Sequence, residues 1–302
     1  MIKIKNLLVR LKTNLCQRFY IVGFIENSSI DYFSKTKVES IHWIKYPDYK
    51  KNWLADPFIL DTNPEKIILL AEQWVHKENK GRIVKVTIDR KTYSLVSIES
   101  FLHTDTHLSF PNIYREDNKI YIYPENHEAK LLQIYPYNPM KGHLEQPIVL
   151  LDEPIIDAQI IKKGSYYYIF ATKRSHTCDE ASDLFVYSSP TLTGPYKEHF
   201  MLKGTSRTER GAGEFIVQGE TIIRPVQDCI DSYGAAVIFK AVDFTQGEIK
   251  EKEIGKLTPA DEFPEGLHTF NRYNDIVVVD GIGFVAGRIV SILKRIIKNV
   301  LL

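Results

Sequence analysis

The sequence predicts an all-β fold, a five-bladed β-propeller followed by a C-terminal amphipathic helix. Three observations predict it: a short unit recurs five times, its spacing is nearly constant, and the hydrophobic period becomes helical only after the fifth copy. In each unit a polar or small residue opens an apolar strand. The copies are Ala55-Asp56-Pro57-Phe58-Ile59-Leu60, Phe110-Pro111-Asn112-Ile113, Asp157-Ala158-Gln159-Ile160-Ile161, Gly213-Glu214-Phe215-Ile216-Val217 and Gly266-Leu267-His268-Thr269-Phe270. Marked at Asp56, Pro111, Asp157, Gly213 and His268, they lie 55, 46, 56 and 55 residues apart. A period of roughly 50 residues with strands inside each unit belongs to propeller blades.

Residues 1–39 form a basic N-terminal segment, alternating with apolar residues, and a strand at Phe19–Phe24 that leads into the domain. The propeller is expected over 40–283, with Trp43-Ile44-Lys45 as an outer strand of the last blade that closes the ring. Within the first blade, turns at Asn63-Pro64-Glu65-Lys66 and Asn79-Lys80-Gly81 separate period-two runs, and the next three blades repeat the scheme. From Phe284 to Leu302 the period is helical: Val285, Ile289, Ile292, Leu293 and Ile296 fall on one half of the wheel, Arg288, Lys294, Arg295 and Lys298 on the other. A basic face opposite an apolar one suits an anionic membrane interface; a helix packed on the propeller with its cationic side in water has the same pattern.

The chain has 302 residues and a formal charge of +1, so no strong field points to nucleic acid. Tyr (17) and Phe (15) suit strand packing and also sugar-stacking surfaces. Three cysteines, Cys16, Cys178 and Cys229, show no disulfide or zinc spacing and favour a reducing compartment. No run is long enough to span a bilayer, and no cleavable leader is evident. The expected location is cytoplasmic, peripheral on the inner face of the membrane if the terminal helix binds lipid.

First-strand positions of all blades converge on one end of a propeller's channel. Here they offer Asp56, Asp157 and His268. A second set recurs about fifteen residues later, just after apolar runs: Glu72, Glu125, Lys173 with Arg174, and Gln227 with Asp228. A charge at such a place does nothing for a core; singly it reads as a solvated strand end, but four matching positions read as a site. Carboxylates gathered in one concavity bind sugar hydroxyls and divide acid and base work. Gly211-x-Gly213 precedes no helix and is not a dinucleotide loop. His103, Asp105, His107 and His127 are irregularly spaced, so neither a metal nor a cofactor is expected.

The phrases Asp56-Pro57-Phe58, His107-Leu108-Ser109-Phe110-Pro111 through Tyr123-Pro124-Glu125, Asp157-Ala158 through Phe170-Ala171-Thr172, Arg224-Pro225-Val226-Gln227-Asp228-Cys229 with Tyr233-Gly234, and Gly266-Leu267-His268-Thr269 carry a resemblance. Over roughly residues 40–282 the chain resembles the five-bladed propeller domain at the N-terminus of plant glucosamine inositolphosphorylceramide transferases. Similar bacterial proteins stand alone or are joined to formyltransferase-like domains. More distantly it is similar to the arabinofuranosidase/xylosidase and invertase glycosidases. In those an Asp opening the first blade is base or nucleophile, an Asp opening the third tunes pKa, and a Glu opening the fourth is general acid.

The resemblance implies the first two roles for Asp56 and Asp157. The third is not matched, because Glu209 and Glu214 are off register; Glu125 or Asp228 are the substitutes. A site with a base and no obvious acid suits transfer from an activated donor, whose phosphate leaving group needs little protonation. Asp56, Asp157 and Glu125 are the expected catalytic residues. Glu72, His107, Lys173, Arg210, Arg224, Gln227, Asp228 and His268 are the expected substrate-binding ones, the cations serving a phosphate. For Arg224 a buried structural pair with an acid is an equal alternative. The expected activity is transfer of a sugar, from a carbohydrate or nucleotide-sugar substrate, to a membrane-associated acceptor in surface glycan or glycolipid assembly. Glycoside hydrolysis and non-catalytic glycan binding are the alternatives.

Overall fold

Runs such as Ile67–Ala71 and Val277–Val279 are apolar without alternation because they lie in strands with a sheet neighbour on both sides and a blade packed on each face. The computed structural model describes residues 16–25, 40–173, 183–202, 207–244 and 248–286. They form a five-bladed propeller of antiparallel sheets. Blade 1 is Leu54–Thr62, Lys66–Val75, Lys80–Asp89 and Leu95–Leu102. Blade 2 is Ser109–Glu116, Lys119–Glu125 and Leu132–Asn138, with His143–Leu144 and Ile148–Leu151 both pairing with the third strand. Blade 3 is Ile155–Lys163, Tyr166–Lys173, Leu184–Ser189 and Lys197–Leu202; blade 4 is Ile216–Gln218, Thr221–Asp228, Ala236–Asp243 and Lys250–Leu257. The turn His127–Ala129 is the one helical element among the described residues.

Blade 5 is closed by the other end of the chain. Phe270–Tyr273 and Ile276–Ala286 are joined by Cys16–Ile25 and then Ile41–Trp43. The N-terminal strand is thus the third strand of the last blade, so Cys16–Ile25, which precedes the expected start at residue 40, is part of the propeller. Its pairing also carries Ile276–Ala286 three residues into the stretch expected as helix: Phe284, Val285 and Ala286 pair with Arg18, Gln17 and Cys16. Local periodicity does not register a partner supplied from far along the chain. The remainder of that helix, 287–302, lies outside the described residues.

Every cleft between blades is filled by its own apolar cluster. Val22, Phe24 and Val278 meet Leu69 and Val86 between blades 5 and 1; Phe58 and Leu70 meet Phe110 and Ile122 between 1 and 2. Tyr123 and Ile134 meet Ile160 and Ile169 between 2 and 3, and Phe170 and Val186 meet Ile222 and Val242 between 3 and 4. Phe239 meets Phe270 edge-on between 4 and 5, with ring centroids 5.0 Å apart. These contacts fix the blades radially, so the innermost strands can spend polar residues on the axis.

Candidate active site in the central channel

The first strands of blades 1, 2 and 3 each carry a bulge where the recurring unit begins. The pairing register shifts between Ala55 and Phe58, Ser109 and Asn112, and Ile156 and Gln159. At those points Asp56, Phe110 and Asp157 adopt left-handed φ of 48°, 45° and 47°. A bulge re-aims a side chain and frees an N–H from the ladder. Here each freed N–H goes to a carboxylate of the preceding blade: Asp56 N–H to Asp280 Oδ2 (3.2 Å), Phe110 N–H to Asp56 Oδ2 (3.1 Å) and Asp157 N–H to Glu125 Oε2 (3.2 Å). The acids at the axis therefore tie blade to blade as well as lining the channel.

A cavity of about 210 Å³ opens at this end, lined by Tyr20, Trp53, Asp56, Glu72, Trp74, His107, Ser109, Glu125, Asp157, Arg210, Tyr233 and His268. Trp53 and Trp74 stack with ring centroids 5.4 Å apart and planes at 6°. Tyr20 leans on both Trp53 (4.6 Å) and His268 (4.8 Å), and the Arg210 guanidinium lies 5.0 Å from the centre of the Tyr233 ring.

Two charged clusters face each other across it. His268 donates from Nδ1 to Asp280 Oδ2 at 2.8 Å, with Asp56 Oδ1 3.6 Å away, and Thr269 Oγ1 donates to Asp56 Oδ1 at 2.8 Å. Asp280 also accepts the N–H groups of His268 and Thr269. Burial works against charge on His268, but Asp280 outweighs it and raises the imidazole above its ordinary value. Burial lifts the Asp56 carboxyl, with His268 opposing. Asp56, His268 and Asp280 bring ligand atoms within 4.8 Å of one another, but those oxygens already accept N–H and O–H donors, a set built around protons rather than a cation.

In the second cluster Asp157 Oδ2 accepts from Arg210 Nε and Nη2, both at 2.7 Å, and from Gln227 Nε2 at 2.9 Å. Glu125 pairs with His127 Nδ1 at 2.7 Å. Burial would raise Glu125, yet His127, Arg210 and Asp157 outweigh it and draw it down to about 2. Burial raises Asp157 well above the usual range, Arg210 opposing and the Glu125 charge adding.

Asp56, Asp157, Glu125, Glu72, His107, Arg210 and His268 are thus brought together. The other four expected binding residues do not line the cavity. Arg224 is fully buried, donating to Gln159 Oε1 at 3.2 Å and paired with Glu251 and, at 3.4 Å, with Glu209; it is the structural pair, not a phosphate ligand. Lys173 pairs with Glu153 and covers the Phe185 ring at 3.9 Å. Asp228 pairs with Lys256, and Gln227 supports Asp157 from behind. Glu209 is held by Arg224 and Lys240. Glu214 belongs to the opposite end of the propeller, beside Arg115, in a second opening of about 540 Å³ lined by blade edges.

Six residues of the site escaped the sequence reading: Tyr20, Trp53, Trp74, Ser109, Tyr233 and Asp280. Asp280 had a signal, since it follows the apolar run Ile276–Val279 as Glu72 follows Ile67–Ala71; it is the fifth member of the second set. Trp74 shares a face with Glu72 by strand period.

A family described as glucosamine inositolphosphorylceramide transferase 1, N-terminal, matches residues 35–274. The chain belongs to that family. Glucosamine inositolphosphorylceramide transferase 1 of rice (Oryza sativa subsp. japonica) is 28% identical over 240 residues, covering 76% of this chain and 31% of the rice protein. The Arabidopsis thaliana protein of the same name is 26% identical over 212 residues, covering 67% of this chain and 27% of that protein. The chain thus spans about a third of the length of these relatives. Among solved structures, an exo-β-1,3-galactanase from Phanerochaete chrysosporium with galactose superposes with a TM-score of 0.54 at 13% identity, covering 70% of this chain and 53% of that one. An α-L-arabinanase of Cellvibrio cellulosa complexed with arabinohexaose gives 0.53 at 16%, covering 72% and 84%. At such identity the likeness is one of fold.

Proposed function

We propose that the channel cavity binds a sugar and that the protein transfers it to a membrane-associated acceptor during glycolipid or surface-glycan assembly. The observation that carries this reading is one cavity in which four carboxyl side chains, Asp56, Glu72, Glu125 and Asp157, stand beside the stacked pair Trp53 and Trp74. Indole faces take the C–H face of a pyranose and carboxylates take its hydroxyls. Asp56, its proton affinity lifted by burial, is the base for an incoming hydroxyl. Arg210, fixed by Asp157, faces the leaving group; a phosphate there would suit a nucleotide-sugar donor. The named relatives are sugar transferases, which supports transfer over hydrolysis. Hydrolysis needs the same cavity and differs in the nucleophile, water in place of an acceptor hydroxyl.

The membrane part of the proposal is supported by where Cys16 and Ala286 lie in the ring. Tyr20, which lines the cavity, pairs with Ile282; four rows further toward that end Cys16 pairs with Ala286, while Ile25 and Val277 lie at the opposite end. Cys16 and Ala286, the described residues next to the two basic stretches, therefore lie at the face that holds the cavity mouth. A cytoplasmic setting, at the inner leaflet, belongs to the same proposal.

Tryptophan fluorescence titrated with a panel of monosaccharides and nucleotide sugars tests it. Saturable quenching that shifts to about tenfold higher ligand concentration in Trp74→Ala, with glycan product lost from cells carrying Asp56→Asn, is expected. Asp56-dependent hydrolysis of simple aryl glycosides by the purified protein would select the hydrolase instead. Unchanged glycan in Asp56→Asn and Asp157→Asn cells would leave a binding module.

A further inference from the structure

One acid in the cavity is not used by the fold. Asp56, Glu125, Asp157 and Asp280 each accept hydrogen bonds that join neighbouring strands or blades. The Glu72 carboxyl accepts none among the described residues; Nε2 of His107 lies 3.7 Å from Oε1, beyond hydrogen-bond reach. Its side chain is 7% exposed, and what it faces is the cavity. A carboxyl turned into a cavity with no hydrogen-bond partner from the protein adds nothing to folding, so its presence calls for a reason outside it.

The surroundings are built to admit it. Behind Glu72 the third strand of blade 1 carries Gly81, where a Cβ would come within 2.4 Å of Glu72 Oε1 and 2.8 Å of the His107 ring. The Gly81 N–H donates to His107 Nδ1 at 2.9 Å. Nδ1 is therefore the acceptor, and the neutral imidazole carries its hydrogen on Nε2, facing Glu72. Burial keeps His107 toward that neutral form. Burial, and then the charges of Asp56 and Glu125, raise Glu72 well above the carboxylate range.

We propose that Glu72 is the proton donor of this site, giving its proton to the oxygen that leaves the anomeric carbon of the bound sugar. The inference rests on the sugar chemistry proposed above. The C1–O bond to the departing group breaks with its electron pair on oxygen, and that oxygen takes the Glu72 proton. The incoming hydroxyl, of acceptor or water, forms the new C1–O bond and yields its proton to Asp56. One proton is given and one taken, so the cavity keeps its charge, and exchange with solvent restores both acids. The role thus falls to the first blade, since Glu209 and Glu214 of the fourth are engaged by Arg224 and Arg115.

Glu72→Gln tests this, because the amide keeps the volume and the neutral state of the acid. Two arms are needed. Difference infrared spectroscopy of the full chain at pH 7 is expected to contain a protonated-carboxyl band that disappears in Glu72→Gln; its absence from the wild type overturns the proposal whether or not any sugar is turned over. With aryl glycosides as donors and an added acceptor alcohol, release of the aryl group, by transfer or to water, is expected to fall by about 10²–10⁴ in Glu72→Gln for phenyl leaving groups and to change little for 2,4-dinitrophenyl ones, which need no protonation. An equal fall for both would make Glu72 a binding residue and overturn its role as acid. If the wild type neither binds nor turns over any glycoside, the sugar reading fails separately, and the infrared arm still decides whether Glu72 holds a proton.

Discussion

Glu72 and Glu125 lie on equivalent second strands, yet they are pushed in opposite directions: Glu125 has His127 Nδ1 at 2.7 Å, while Glu72 has His107 Nε2 3.7 Å away. The consequence for stability has a sign. A carboxyl whose folded pKa is raised holds its proton better folded than unfolded, so its contribution is present below the unfolded value and is lost as pH rises through the folded one. Glu72→Gln removes that loss. Its melting temperature is expected to match the wild type near pH 4 and to exceed it increasingly toward pH 9, which a calorimetric pH series would measure; a gap that closes with rising pH would mean that Glu72 is ionised and paired. Trp74 offers the complementary case. Removing one wall of the indole pair by Trp74→Ala should weaken sugar binding by about 1–1.5 kcal/mol, roughly tenfold, with little change in fold, because the ring faces the cavity. Much of this was legible beforehand, since an acid after an apolar strand run has no use in a core. The partner of each acid was not, because Asp280 and Asp56 lie 224 residues apart and meet only through the bulge that frees the Asp56 N–H.

At the scale of strands and blades, repetition made the architecture readable and interruption hid its joints. The markers at Asp56, Pro111 and Asp157 coincide with bulges, which is why a local motif recurred at all. The closing strand Cys16–Ile25 lies outside the repeat and took Tyr20 out of sight with it. Arg224 was open between ligand and structural pair, and only packing could separate the two, since blade 4 buries it against Glu209 and Glu251. Arg224→Leu is therefore expected to cost about 3–5 kcal/mol in denaturant unfolding by leaving those acids uncompensated, while sugar affinity in the remaining folded protein stays unchanged. Gly213 sets a second test. Its φ is 151°, and a Cβ would lie 2.0 Å from the Phe270 carbonyl oxygen of the next blade. Gly213→Ala should cost about 3 kcal/mol or more, seen as a lower unfolding midpoint, because neither the backbone angle nor the blade spacing can yield.

Over the whole molecule the near-zero net charge hides a strong separation. Residues 1–15 and 287–302 carry eight Lys and Arg and no Asp or Glu; the 31 Lys and Arg between them face all 38 Asp and Glu, so the flanks are +8 and the body −7. Cys16 and Ala286, the described residues that adjoin these flanks in sequence, lie at the end of blade 5 that holds the cavity mouth. Each basic residue near an anionic leaflet adds about 1 kcal/mol of attraction, and the acidic body is repelled by the same leaflet, so the field itself would turn the mouth toward the lipid. An acceptor embedded in that leaflet would then meet the cavity directly. Co-sedimentation with vesicles containing phosphatidylserine is expected for the full chain, to weaken steeply with salt, and to be lost when 287–302 is deleted with the ladder to Ala286 left intact. Neutral vesicles should bind little. Reversing Lys294, Arg295 and Lys298 to Glu should abolish binding without changing the melting temperature, whereas salt-independent binding, or binding that survives both changes, would place the contact on the propeller body and remove the reason for orienting the site toward a membrane acceptor.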